Sequence, residues 1–168
     1  MDRLPDDARI RVWQGLMRVH ADVTAALDAA LMGGHRLPLS WYQVLVELRL
    51  AGGSMRMHRL AETATLSRSA TTRLVDRIEG AGLVERRVCP EDRRGMEVLL
   101  TEQGRKVQRS AAPTALRGLQ QHLGRHLTQE QAEALAELLA KIASGQAASC
   151  PADGERESPS TATVVDDH

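Results

Sequence analysis

Ser67, Arg68, Ser69, Thr71, Thr72 and Arg73 place short hydroxyls and guanidinium groups side by side, with no carboxylate among them. A hydroxyl both donates and accepts hydrogen bonds, and an arginine offers a planar fork that grips phosphate or guanine in pairs. Such a mixture can lie against a phosphodiester backbone and still reach base edges. A second cationic group follows in Arg86 and Arg87, then in Asp92-Arg93-Arg94-Gly95. The plainer alternatives are a solvated helix face for the first group and a charge-solubilised turn for the second. Cys89 stands beside arginines, which can lower a thiol's pKa and favour the reactive thiolate. His122 and His126 are four apart but have no evident third ligand, so no metal is expected there. No nucleophile–base pair, phosphate loop or metal cluster is visible, so neither an enzyme nor a cofactor is expected.

These residues need elements to hold them. Ser67 can cap a helix, its hydroxyl accepting from a free N–H of the first turn. Ala70, Leu74, Ile78 and Ala81 recur at one-turn spacing as its inner stripe, with the hydroxyls and arginines opposite. Gly80 and Gly82 mark its end. Leu83–Val88 reads as a strand, Pro90 forces a turn, Glu91–Gly95 forms the tip and Glu97–Leu100 returns. A helix followed by a basic hairpin suits the major and minor grooves of B-DNA. Upstream, Leu39–Leu50 reads as a helix capped by Ser40, with Trp41, Val44, Leu45 and Leu48 inward and Gly52-Gly53 ending it. Met57, Leu60, Ala61 and Ala64 support a short helix before the turn at Thr65-Leu66-Ser67. Three short helices, the last polar on one side, fit a helix-turn-helix.

Longer helices flank this centre. Asp6 or Asp7 can cap the first, where Val12, Leu16, Val19, Val23, Leu27 and Ala30 form a stripe that needs cover, ending at Gly33-Gly34. Thr101 can cap another, containing Val107, Ala111, Leu116, Leu119 and Leu123, which Pro113 should kink or split. Thr128 and Gln131 form a capping box before Ala132, Leu135, Leu138, Leu139 and Ile142. From Gly145 the periodicity stops and a disordered tail is expected. Trp13, Met17, Trp41 and Tyr42 are the few large side chains of the body. They either pack the first two helices together or, with polar groups such as His20 and Arg49, wall a pocket for a flat organic anion.

Composition sets bounds. The 168 residues suit one domain or two small lobes. Aromatics are 2% with no Phe, so the core must be Leu, Val, Ala, Ile and Met, which favours helices. Net charge is zero, yet residues 146–168 hold five acids against Arg156 alone. That segment is −4, which leaves residues 1–145 at +4, a mildly basic body. The absence of a signal peptide, a Cys-x-x-Cys pair or a long apolar span points to a reduced cytoplasmic protein with no membrane partner.

Asp92-Arg93-Arg94-Gly95 followed by Leu99-Leu100-Thr101-Glu102-Gln103-Gly104 resembles the wing signature of the MarR family, Asp-x-Arg, a short strand, then Leu-Thr-x-x-Gly. Leu60-Ala61 and Ser67 through Val84 resemble that family's helix-turn-helix and its exit into the wing. The similarity spans about residues 5–144. It implies a mainly α fold with a small β-wing: an N-terminal dimerisation helix (1–35), a winged helix-turn-helix (36–104), C-terminal dimerisation helices (105–144) and the acidic tail (145–168). It implies DNA contact through Ser67, Arg68, Ser69, Thr71, Thr72, Arg73, Arg86, Asp92, Arg93 and Arg94. Arg94 would enter the minor groove, oriented by Asp92. The first and last two helices would interlock two subunits. The family often binds phenolic compounds at the junction that Trp13, Met17, His20, Trp41 and Tyr42 would line. Its thiol sensors usually place their cysteine in the first helix, where this chain has none. The function implied is a homodimeric repressor of a palindromic operator, released by a small ligand. A redox regulator using Cys89 and a non-specific architectural DNA binder are the alternatives.

Overall fold

Asp7 accepts a hydrogen bond from the Arg9 amide at 2.9 Å and opens the first helix, α1 (Ala8–His35). The computed structural model describes residues 7–64, 66–89 and 92–147, without the side chains of Cys89, Asp92, Arg93, Arg94, Gln146 and Ala147. The expected end of α1 at Gly33-Gly34 is corrected: the helix runs on to His35, whose ring meets the Thr114 hydroxyl at 2.9 Å, and Arg36 closes it in the left-handed region (φ 52°).

The second helix is α2 (Leu39–Leu50), and Ser40 is not its cap. Pro38 holds that position, and the Asp28 carboxylate of α1 accepts from the Leu39 amide at 2.8 Å. One helix thus caps the next, a long-range arrangement that local sequence does not reveal. A strand that sequence reading missed follows, β1 (Ser54–Arg56), then α3 (Met57–Thr63), α4 (Arg68–Gly80), β2 (Val84–Cys89) and β3 (Asp92–Leu100).

The sheet is antiparallel in the order β1-β3-β2. Ser54–Arg56 pair with Leu99–Glu97, and Val84–Val88 pair with Leu100–Met96. Cys89 then pairs with Asp92, so β3 bulges opposite the Val88–Cys89 step. Residues 92–95, expected as part of the turn tip, belong to the strand.

Thr101 caps α5 (Glu102–His122) by accepting from the Gly104 amide at 2.9 Å. Pro113 does not split α5. It removes one helix hydrogen bond on an exposed side, where water can satisfy the freed carbonyl. The core is aliphatic: Leu31, Leu45, Leu48, Leu60, Val75, Ile78 and Val98 are completely buried.

A separate unit begins at Leu127. Gln131 and Thr128 close the capping box at 3.0 and 3.2 Å, and α6 (Gln129–Ala147) follows, extending past the expected limit at residue 144. Leu135, Leu138, Leu139 and Ile142 on α6 are exposed. The rest of the expected acidic tail, residues 148–168, lies outside the described residues. Among those described, no helix is long and apolar enough to cross a membrane.

Candidate nucleic-acid interface

Ser67 accepts from the Ala70 amide at 3.3 Å and lies 3.2 Å from the Ser69 hydroxyl, so the start of α4 is closed by side chains. The inner face of this helix is Thr71, Leu74, Val75 and Ile78. Ala70 is only partly covered and Ala81 is exposed, which rotates the buried stripe from the one expected. Thr71 is therefore corrected: it is fully buried, and its hydroxyl donates to the Ser67 carbonyl at 3.0 Å. A threonine can bury its methyl group when its own helix accepts its proton, which makes it apolar in effect. Ser67, Arg68, Ser69, Thr72 and Arg73 remain exposed on one face.

That face extends beyond α4. A cleft of about 430 Å³ is lined by Arg56, Met57, His58, Arg68, Thr72, Gly95 and Met96. Arg56 and His58 were not expected here. Their signal is a basic pair flanking Met57, and the packing of α3 on α4, with β1 paired to β3, brings them beside Arg68. Among the described residues no carboxylate pairs with Arg56, Arg68 or Arg73. The α4 N-terminus adds the positive end of the helix dipole. The combined surface suits an anion with spaced charges.

Arg86 is also corrected. Its guanidinium is bound by Glu79 through Nε at 2.8 Å and ion-paired with Asp76, so it faces α4 rather than an outside ligand. Glu79 also accepts from the Arg86 amide at 2.8 Å. These bonds, the backbone one first, hold the Glu79 carboxyl below the usual carboxylate range. Arg87 pairs with Glu85 at 2.8 Å on the open side of β2. The backbones of Asp92, Arg93 and Arg94 lie in β3, beyond the Val88–Met96 pair, while their side chains and that of Cys89 lie outside the description.

The expected small-molecule set is divided between exposed and core-packed side chains. Trp13 and Met17 are exposed on α1. Trp41 and Tyr42 pack half-buried against the core, and burial pushes the Tyr42 phenol up against the opposing pull of Gln108 and Arg49. His20 lines a cleft of about 300 Å³, with Ser40, Gln43, Glu47 and Leu66 among its walls. Among the described residues no group of three or more His, Cys, Asp or Glu is placed to hold a metal ion.

The family model of the MarR family matches residues 36–95, from just before α2 into β3. The multiple antibiotic resistance protein MarR of Salmonella typhimurium is 32% identical over 101 residues, which cover 60% of this chain and 69% of that protein. The chain belongs to the MarR family of transcriptional regulators. MarR-family regulators are DNA-binding proteins rather than enzymes. An uncharacterized HTH-type regulator of Bacillus subtilis, YfiV, is 38% identical over 73 residues, 43% of this chain and less than half (46%) of that regulator. Sco3205, a MarR-family regulator from Streptomyces coelicolor solved in complex with DNA, superposes with a TM-score of 0.76 at 31% identity. That match covers 86% of this chain and 91% of the other. The mainly α fold with a three-stranded antiparallel sheet is that of the MarR winged helix.

Proposed function

We propose that this MarR-family chain works as a homodimer on a palindromic operator and represses transcription until a small organic molecule releases it in the cytoplasm. The observation that carries the reading is the acid-free face of α4, where Arg68, Ser69, Thr72 and Arg73 stand exposed beside Arg56 and His58. In a dimer two such helices enter successive major grooves, which calls for half-sites about 10 base pairs apart. Arg93 and Arg94, with Asp92, are then the minor-groove contacts of each wing. A narrow A·T-rich groove concentrates negative potential and favours arginine there. Dimerisation is supported by large apolar side chains left open to solvent: Val12, Trp13 and Val19 on α1, Leu138 and Ile142 on α6. The cleft beside His20 is the candidate effector site.

Selection of bound sequences from randomised duplex DNA tests the reading. The expected product is an inverted repeat that excess random DNA does not displace. Equal recovery of all sequences would favour the architectural alternative instead. The dimer has its own test: Leu138→Glu places a charge at the subunit boundary, and sedimentation should show monomer along with loss of operator binding. An unchanged dimer removes α6 from the interface.

A further inference from the structure

Two acids stand on the side of α4 that leads into the wing, which is unexpected in an element built to meet phosphate. Asp76 and Glu79 lie one turn apart, and both bind the same arginine, Arg86 of β2. Glu79 is held twice. One of its oxygens accepts from the Arg86 backbone amide and the other from the guanidinium Nε, both at 2.8 Å. The Arg86 side chain as a whole is 28% exposed, so this is a partly desolvated, charge-assisted cluster rather than a loose surface pair. Arg86 also pairs in register with Val98, a completely buried residue at the root of β3. One arginine therefore touches the recognition helix through its side chain and the wing through its backbone.

We propose that Arg86 is a positioning residue that locks the wing to the second half of α4, so that helix and wing meet DNA as one preorganised body. The proposal rests on the DNA-binding reading for its consequence, but the lock itself belongs to the free protein. Holding two contact elements at a fixed separation strengthens binding, because their relative freedom is already lost before DNA arrives. Asp76 and Glu79 then strengthen DNA binding although they carry the wrong charge for it.

That sign decides the matter. Glu79→Gln deletes a negative charge near the DNA face, and electrostatics alone would raise affinity. The lock requires the opposite, a loss on the order of tenfold, the size expected when one charge-assisted bond is weakened. The loss must also act through the wing. In an Arg94→Ala background Glu79→Gln should therefore cost much less than in the parent, as coupled residues do. Titration of the four proteins with the selected operator gives both quantities, and melting temperatures confirm that each is folded. A third readout needs no DNA. In Glu79→Ala the Arg86 amide loses its acceptor, and its hydrogen exchange should accelerate by on the order of tenfold while amides of α1 keep their rates. Tighter or unchanged DNA binding by Glu79→Gln, full additivity with Arg94→Ala, or an unaltered Arg86 exchange rate would each overturn the lock. If the parent binds no selected duplex while the exchange result holds, the DNA reading fails and the lock stands.

Discussion

The two ends of α4 are built on opposite terms. At its start, Ser67, Arg68, Ser69, Thr72 and Arg73 are exposed, and the nearest hydrogen bonds of the hydroxyls stay within the helix. At its other end both acids are engaged, while Arg77 has no acid partner among the described residues. Asp76 and Glu79 hold Arg86, and beyond Gly82 (φ 72°) the Thr101 hydroxyl donates toward the Gly82 and Leu83 carbonyls at 2.8 and 3.0 Å. Four of the five arginines between residues 68 and 87 thus fall into two kinds. Arg68 and Arg73 have no acid partner among the described residues, whereas Arg86 and Arg87 do. An arginine's position relative to the nearest carboxylate, more than its presence, decides whether it is available to a phosphate.

The anchored end should fail hardest. Gly104 is buried beneath the Leu83 carbonyl, and a methyl group there would overlap that oxygen and lie 2.8 Å from Leu100 Cδ1. Backbone, not a flexible side chain, would have to move. Gly104→Ala is expected to cost about 3 kcal/mol of stability in urea denaturation, at the upper end of overpacking effects. A loss under roughly 0.5 kcal/mol, the scatter of neutral surface changes, would mean the joint is softer than its geometry. At the open end the damage should be to recognition only. Arg68→Ala should leave the melting temperature unchanged and cost about 1–3 kcal/mol on the cognate operator, with discrimination relaxed at one base pair per half-site. A uniform loss on all sequences would make Arg68 a phosphate contact instead. The smallest effect is expected where the sequence promised a contact and the fold withdrew it. Thr71→Val should change operator affinity by less than about 1 kcal/mol, since the hydroxyl serves only the Ser67 carbonyl. That carbonyl keeps the Thr71 amide as a donor. A large affinity loss with unchanged stability would put Thr71 back on the DNA face.

The residues that sequence reading placed well share a local signal. Ser67 as cap, Gly80 and Gly82 at the helix end, Thr101 as cap and the Thr128–Gln131 box all depend on neighbours within a turn or two. The failures are long-range. β1 is three residues that become a strand only because β3, some forty positions later, offers a ladder. Asp28 displaced Ser40 as the cap of α2 from eleven residues away. Arg86 looked like Arg68 because its acids lie seven and ten residues back, on another element. Thr71 was misread by one helical position, since a hydroxyl that bonds its own backbone counts as apolar and period alone treats it as polar. Trp13 and Met17 on α1 are exposed whereas Trp41 and Tyr42 pack against the core, and no local pattern could have shown that difference.

The sheet has uneven support, and that gives the wing a mechanical character. Glu97, Val98 and Leu99 of β3 are flanked on both sides, by β1 and by β2, but Met96 and Asp92 pair with β2 alone. The hairpin is therefore a cantilever: a stiff mount at the root, with a short free end in which β2 contributes Val88 and Cys89 and β3 bulges between Met96 and Asp92. Because the free end has no second flanking strand, its position follows the orientation of the root. Small changes where β1, β3 and α5 meet are thereby passed on to the far end. Side chains that never approach a nucleotide can govern how well the tip fits its groove.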